Sequence, residues 1–319
     1  MRFVRYAMFA VALSGCTASS TDDVLSLQPS TEITSSIGPR PAADVGSGGV
    51  TALAGSTPDA ARHVRSDITQ VAFTPPSRAV LGPRGKGVDV FSPRFGEAKP
   101  VKFRGADPYP FQVHGVDVSR WQGDIDWETL RKQGANFAYI KATDGGDHKD
   151  PAFRRNWEEA AKAGIPRGAY HFFYWCRPAS EQADWFIRNV PKEKGALPPV
   201  LDVEWNAYSR NCKKRPSRDV VLKKMQVFLD RLEAHYGQRP IIYTAPDFYK
   251  DNLRGRFTDY SFWLRSVAAH PSQVYPDRDW AFWQYSGTGL SKGVSGQIDL
   301  NVFNGTEQGW NDWLTRRKL

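Results

Sequence analysis

The chain is poor in cysteine, histidine and methionine: its 319 residues include three Cys, six His and three Met. No His or Cys spacing resembles that of a metal site, so we expect neither a metal nor a cofactor. A nucleic-acid-binding motif is also missing, although the formal net charge of +9 favours contact with polyanions. We therefore expect no nucleic-acid partner, and an anionic lipid surface or an acidic cell wall fits the charge better.

The N-terminus has the pattern of an export signal. Arg2 and Arg5 precede the apolar stretch Tyr6–Leu13, which is too short to span a membrane as a mature helix. The residues Leu13-Ser14-Gly15-Cys16 then resemble a bacterial lipobox. We predict a lipoprotein signal peptide at residues 1–15 and a lipid on Cys16 that anchors the exported chain to the cell envelope, in the periplasm or at the outer membrane. A plain signal peptide cut nearby is the alternative.

The other two cysteines are Cys176 and Cys212. If Cys16 carries lipid, an even number of thiols is left in an oxidising compartment, and we predict that these two form a disulfide. Two unrelated thiols are the alternative, which a Cα separation beyond about 7 Å would favour.

Residues 16–107 are rich in Ser, Thr, Gly and Pro and show no sustained period, so they are predicted to be a low-complexity, mostly disordered tether. Two short apolar pieces, at 88–91 and 101–103, are candidates for local docking, with no position assigned. The rest of the chain, residues 108–319, is predicted to be one barrel domain. Its abundance of Trp, Tyr and Phe is typical of a globular enzyme or binding protein and suits carbohydrate.

Short apolar strands alternate with helical stretches from about Val113 onward, which predicts an α/β domain with a parallel sheet. Less helix lies between the later strands, so the pattern predicts a closed barrel with an abbreviated second half. The predicted helices cover Asp126–Gln133, a segment from Asp150 to Gly164, and the apolar stripe from Val221 to Leu232. The eight strand candidates are 113–119, 137–141, 168–174, 200–204, 241–244, 262–267, 280–285 and 297–303.

Three of these strands carry acids on the face opposite their apolar side chains. Asp202 and Glu204 lie two residues apart, and Asp117 and Asp299 occupy the same phase on the first and last strands. Side chains at i and i+2 of a strand share a face, so the acids are predicted to converge at the barrel mouth, where paired carboxyls suit glycoside hydrolysis. Surface acids on an edge strand, or structural salt bridges to inward Lys or Arg, are the alternatives.

The chain resembles the glycoside hydrolase family 25 lysozymes, or muramidases. The resemblance covers about residues 113–305 in family order. It rests on the blocks Gly115–Trp127, Phe137–Thr143, Asp150–Phe153, Gly168–Phe172, Pro199–Glu204, Trp283–Tyr285 and Gln297–Asn301. It implies an incomplete TIM-like (β/α)5(β)3 barrel and hydrolysis of the β-1,4 bond after N-acetylmuramic acid in peptidoglycan. It also implies that Glu204 is the general acid and that Asp117, Asp202 and Asp299 are the other acids of the site.

The chemistry of the carboxyls agrees with these roles. Nearby carboxylates are expected to raise the pKa of Glu204 so that it keeps a proton to donate. Asp202 is expected to act as a charge partner to the 2-acetamido group of the sugar, in a substrate-assisted route, and a route with a direct nucleophile is the alternative.

Aromatic and amide side chains near strand ends are the candidates for substrate binding: Tyr170, Tyr243, Trp283, Gln284 and Tyr285. For each aromatic ring, plain packing within the barrel is the alternative. The expected partners are glycan strands of peptidoglycan and, through Cys16, a membrane, and the protein is expected to be a monomer. A peptidoglycan-binding lipoprotein module without catalysis is the alternative function, against which the retention of all four acids argues.

Overall fold

The structure is a computed structural model that describes residues 87–207, 209–210 and 212–317. The predicted signal peptide, Cys16 and the predicted tether up to residue 86 lie outside these residues. Within the described part of the chain, no helix has both the length and the apolar character needed to cross a membrane.

Eight strands close into a barrel. Seven of them run parallel in the order β2, β3, β5, β6, β7, β8 and β9, and β10 closes the barrel by pairing antiparallel with both β9 and β2. Two further short strands, β1 and β4, pair with β9 and β3 from outside. The strands are β1 (Gly96–Glu97), β2 (His114–Val118), β3 (Ala138–Asp144), β4 (His148–Lys149), β5 (Arg167–Phe172), β6 (Val200–Val203), β7 (Ile241–Thr244), β8 (Ser261–Arg265), β9 (Phe282–Leu290) and β10 (Ile298–Phe303).

Long helices follow the early strands, and little helix follows the later ones. The helices are α1 (Trp127–Lys132), α2 (Phe153–Lys162), α3 (Ala179–Asn189), α4 (Arg218–Tyr236), α5 (Pro246–Phe248), α6 (Pro271–Val274) and α7 (Glu307–Arg316), with a π-helical turn over Tyr249–Leu253. No helix lies between β9 and β10. The predicted eight-stranded α/β barrel with a helix-poor second half is therefore confirmed.

The three helices predicted from the sequence are all present. Asp126 caps α1 by accepting a hydrogen bond from the Thr129 amide, 2.9 Å away. Helix α2 begins at Phe153, three residues after the start of the predicted segment at Asp150, and the Asp150 carboxylate accepts a hydrogen bond from the Ala152 amide just before the helix. Helix α4 buries the predicted stripe against the sheet and ends at Tyr236, and the Gly237 that follows has a φ of 68°, which suits glycine. Helices α3 and α7 were not predicted.

The barrel has a closed end and an open end. At the closed end, where the parallel strands begin, aromatic side chains fill the interior, and Trp310 and Trp313 of α7 pack against Phe137, Phe282 and Phe303. At the open end, where the parallel strands finish, the interior residues are polar. Active sites of such barrels lie at the end where the parallel strands finish, because loops from several strands meet there.

Residues 87–112, here called the N-terminal arm, lie along the outside of the barrel. Strand β1 pairs with β9, and the arm's Arg104 amide donates to the Ala268 carbonyl over 3.2 Å. Phe103 packs edge-on against Trp283, with ring centroids 5.6 Å apart. The arm thus covers the outer face of β9, which no long helix covers.

The boundary predicted at 107/108 therefore does not coincide with the first residues that contact the barrel. The amide of Asn136 exchanges two hydrogen bonds with the backbone of Phe91, of 2.8 and 2.9 Å, and Val88 and Val90 pack against the aromatic interior. The apolar residues of the arm do not recur with the period of a helix or a strand, so the sequence pattern does not predict their contacts. The surface that they cover is formed by distant parts of the chain.

Candidate active site

The polar layer at the open end contains all four predicted acids. Asp117 and Asp299 are directly opposite each other on β2 and β10, and Asp202 lies at the end of β6. Asp117, Asp202 and Asp299 are at most 5% exposed, whereas Glu204, just beyond β6, is half-buried. The charges of Asp117 and Glu204 both act on Asp202, so the structure brings the acids into one site.

Asp117 is held by two side-chain amides. Its Oδ2 accepts hydrogen bonds from Gln284 Nε2 at 2.9 Å and from Asn301 Nδ2 at 2.8 Å. Burial raises the pKa of Asp117 to about 6, although these amides, a hydrogen bond with Asp299 and the charge of Arg265 all lower it. Asp117 therefore titrates near neutral pH.

Asp202 and Glu204 form the second pair. Burial raises the pKa of Asp202 well above its ordinary range, and the charge of Glu204 raises it further, while the Lys141 ammonium acts in the opposite direction. Among the described residues, Asp202 Oδ1 is buried and has no hydrogen-bond partner. A buried carboxyl oxygen in this state suits contact with a bound substrate.

Two cations that the sequence analysis did not select complete the polar layer. Lys141 Nζ pairs with Asp144 Oδ2 at 2.8 Å, on β3. Arg265, on β8, is half-buried, and this partial loss of water lowers its pKa, but Tyr243, Glu204 and Asp299 raise it above the ordinary value. Each cation lies two residues after an interior aromatic residue, Tyr139 for Lys141 and Trp263 for Arg265, and therefore faces the barrel interior. That spacing was the available signal.

Tyr170 and Tyr243 point into the same interior. Burial raises the pKa of both hydroxyls well above 10, and the nearby carboxylates add to the effect. The Tyr243 hydroxyl donates to Gln284 Oε1 at 2.8 Å, and only 2% of the residue is exposed. Tyr243 therefore orients the Gln284 amide, which in turn donates a hydrogen bond to Asp117.

The match to a known sequence family identifies the kind of protein that carries this site. The profile described as "Glycosyl hydrolases family 25" matches residues 116–294, which include Asp117, Asp202 and Glu204. The chain belongs to glycosyl hydrolase family 25. It is accordingly a glycoside hydrolase, and the family supports peptidoglycan as its substrate.

Relatives of this family 25 enzyme include proteins of bacteria and fungi. Uncharacterized protein YegX of Escherichia coli K12 is 41% identical over 217 residues, which cover 65% of this chain and 76% of YegX. Lysozyme M1 of Streptomyces globisporus is 36% identical, covering 61% of this chain and 68% of that protein. The solved family 25 glycosyl hydrolase of Bacillus anthracis is 39% identical with a TM-score of 0.60, covering 67% of this chain and 99% of that one.

Two of the predicted sugar-binding residues of this family 25 enzyme lie on the outer face of β9, away from the barrel interior. Trp283 and Tyr285 flank Gln284 on β9, so strand alternation turns them away from the acids. Trp283 is 0% exposed, and its Nε1 donates to the Ser266 carbonyl at 2.7 Å. The Tyr285 hydroxyl lies 3.2 Å from His114 Nδ1. The prediction that these two side chains contact sugar is therefore corrected, because neither offers a ring face to the open end.

Two aromatic residues that were not selected lie nearer the substrate side. Trp121, in the connection after β2, is 41% exposed, with the Arg120 guanidinium 4.6 Å from its ring centroid. Trp205 follows Glu204 directly, is half-buried, and donates from Nε1 to Asp251 at 2.8 Å. Both follow the ends of strands that carry acids, and this position was their sequence signal.

The predicted disulfide joins Cys176 and Cys212, whose Cα atoms are 5.4 Å apart, and it is confirmed. It links the segment after β5 to the segment after β6, beside Glu204. In the part of the chain that the structure describes, no group of three or more His, Cys, Asp or Glu side chains is arranged to hold a metal ion.

Proposed function

We propose that this family 25 enzyme is an N-acetylmuramidase, which hydrolyses the β-1,4 bond between N-acetylmuramic acid and N-acetylglucosamine in peptidoglycan. The observation that carries the proposal is the pair Asp202 and Glu204 at the open end, where burial and the charge of Glu204 raise the pKa of Asp202. Two carboxyls that repel each other retain a proton to higher pH than an isolated one, and glycoside hydrolysis needs such a proton.

Glu204 is the proposed general acid. It is half-buried, whereas Asp202 is 3% exposed, so Glu204 is the carboxyl that a glycosidic oxygen can reach from solution. Its proton passes to that oxygen as the bond from the oxygen to C1 breaks. Before the transfer, the one proton of the pair lies on Glu204 and Asp202 is the carboxylate, which stabilises the positive charge developing on the sugar. Water completes the hydrolysis by forming the new bond at C1, and its proton returns to the Glu204 carboxylate.

Analysis of the reducing ends of digestion products tests this proposal. The full chain should release fragments from purified peptidoglycan that carry N-acetylmuramic acid at their reducing ends. Glu204→Gln should lower the rate by about a hundred-fold or more, since a side-chain amide has no acidic proton to transfer to the glycosidic oxygen. The matched control is Glu158→Gln, which changes an exposed acid on α2 and should keep the wild-type rate.

Two results would overturn the proposal. Products that end in N-acetylglucosamine would assign the cleavage to the other glycosidic bond. Binding of peptidoglycan with no release of fragments, by a chain with an unchanged thermal unfolding midpoint, would make the protein a non-catalytic binding module.

We further propose that the protein is an exported monomer held by a lipid on Cys16, in the periplasm or at the outer membrane. The lipobox-like residues Leu13–Cys16 support this location. In labelling with a radioactive fatty acid, the wild-type chain should take up label and sediment with membranes. Cys16→Ser should do neither, and label on Cys16→Ser would count against the proposal. Sedimentation of the detergent-free Cys16→Ser chain should give the mass of one copy.

A further inference from the structure

Two side-chain amides converge on a single oxygen of Asp117. Gln284 comes from β9 and Asn301 from β10, and both donate to Asp117 Oδ2, at 2.9 and 2.8 Å. All three residues are at most 5% exposed. We refer to the two amides as the amide clamp. An oxygen that accepts two buried donors is strongly favoured as the site of negative charge.

A further donor fixes the orientation of each amide. Trp263 Nε1 is 2.8 Å from Asn301 Oδ1, and because an indole N–H can only donate, the Asn301 NH₂ group must face Asp117. The Tyr243 hydroxyl donates to Gln284 Oε1 at 2.8 Å, so the NH₂ group of Gln284 also faces Asp117. Two hydrogen-bonded chains, from Trp263 and from Tyr243, therefore end on one carboxylate oxygen.

The Asp117 carboxyl also forms a hydrogen bond with Asp299, which lies opposite it on β10. A hydrogen bond between two carboxyls requires one proton. Because the clamp occupies Oδ2 with donors, that proton cannot lie on Oδ2 and must lie between Asp117 Oδ1 and Asp299. The other titratable or charged groups whose interactions with Asp117 are established are Arg265, Asp202, Tyr170 and Tyr243.

We propose that Gln284 and Asn301 are positioning residues that hold the charge of the Asp117–Asp299 pair on Asp117 Oδ2 and leave the proton of the pair on Asp299. This inference rests on the proposed function, because it assigns a task to side chains behind the catalytic acids. Neither amide needs to touch the substrate. Trp263 and Tyr243 act together with the amide clamp, since their hydrogen bonds set the direction in which each amide donates.

The clamp affects the acid pair on β6 through charge. A negative Asp117 raises the pKa of Asp202, and with it the ability of the Asp202 and Glu204 pair to retain a proton. A weaker clamp would raise the pKa of Asp117, so its charge would appear only at higher pH. The proposed site works with Asp117 charged, so activity should fall over the mildly acidic range in which Asp117 of the variant is protonated and Asp117 of the wild type is not, even though no group in contact with the sugar has changed.

The variant Trp263→Phe tests the clamp, because it removes the indole N–H and keeps an aromatic ring. Carbon-13 NMR titration of the aspartate carboxyls should show the Asp117 pKa rising by about half a unit to one unit relative to the wild type. The control is Tyr139→Phe. Tyr139 is stacked on Trp263 with centroids 5.0 Å apart, and its buried hydroxyl has no hydrogen-bond partner among the described residues. The control should leave the Asp117 titration unchanged.

Kinetics on peptidoglycan give a second readout. Trp263→Phe and Tyr243→Phe should both move the acidic limb of the kcat/KM profile to higher pH by about half a unit to one unit, with KM changed less than about two-fold. If Tyr243 instead contacts sugar, Tyr243→Phe would raise KM and leave the acidic limb in place, which would overturn its assignment to the clamp.

The outcomes separate the clamp from the proposed function. An Asp117 titration that is the same in the wild type, Trp263→Phe and Tyr243→Phe would overturn the clamp, whatever the enzyme cleaves. A wild-type chain that leaves peptidoglycan intact would overturn the muramidase proposal, while the NMR titration would still decide the clamp. Circular dichroism identifies a variant that fails to fold, and the other variant then carries the test.

Discussion

Asp117 is buried, and its burial lowers the free energy of unfolding at pH values above about 6, where the carboxyl is charged. Its pKa of about 6 exceeds the ordinary 3.8 because burial disfavours the charged form. The folded chain therefore binds more protons at this group than the unfolded chain does. The free energy of unfolding falls as pH rises from about 4 through 6, and the stabilising state is the protonated one.

Asp117→Asn removes this effect. The variant should be more stable than the wild type at pH 8 by about 1–3 kcal/mol, and the difference should vanish as pH falls from 6 towards 4. Its activity should be lost, because the charge is gone. Thermal unfolding at several pH values checks the result. A variant less stable than the wild type at pH 8 would mean that the carboxylate is a net stabilising group.

Trp283 provides a test of the corrected aromatic assignment. Trp283→Phe loses the hydrogen bond to Ser266 and leaves space in a packed cluster, so the free energy of unfolding should fall by about 1–3 kcal/mol. KM for peptidoglycan should stay within about two-fold of the wild type. A large rise in KM at unchanged stability would restore Trp283 as a sugar-binding residue.

Strand alternation explains which residues were predictable. The four acids could be found because each lies on the face opposite the apolar residues of its own strand. The same rule would have separated Gln284 from Trp283 and Tyr285, which cannot share its face. The clamp could not be predicted, because its hydrogen bonds join β2, β7, β8, β9 and β10 and depend on the register in which the barrel closes.

At the scale of elements, the N-terminal arm replaces a helix that the barrel lacks. The outer face of β9 carries Trp283, which Phe103 and Phe111 of the arm cover. Local sequence reasoning found strands and helices in residues 113–303 and named 88–91 and 101–103 as candidates for docking, but it could not place them, since an irregular segment gains its order only from the surface that it covers.

A chain that begins at residue 108 should therefore be less stable than one that begins at residue 87. We expect a loss of about 3 kcal/mol, from exposed aromatic surface and lost backbone hydrogen bonds, and an unfolding midpoint lower by roughly 6–12 °C. Within the full chain, Phe103→Ala should lower the midpoint, whereas Lys102→Ala, at an exposed neighbour, should not. Equal midpoints for the two truncated chains would show that the arm contributes nothing to stability.

At the scale of the whole molecule, a formal net charge of +9 favours encounter with an anionic cell wall. Added salt should weaken this attraction, since the Debye length is about 10 Å at 0.1 M and about 3 Å at 1 M. KM for intact peptidoglycan should rise several-fold between low and high salt. A KM that does not depend on salt would remove the role assigned to the charge.

The position where the arm begins has a consequence for how the enzyme faces its surroundings. Val88 packs among the closed-end residues Leu197 and Leu314, at the opposite end of the barrel from Asp202 and Glu204. A chain attached through residues upstream of 87 would therefore be attached at the closed end of the barrel. The open end, with Asp202 and Glu204, then faces away from the point at which the described chain begins and stays accessible to a glycan strand.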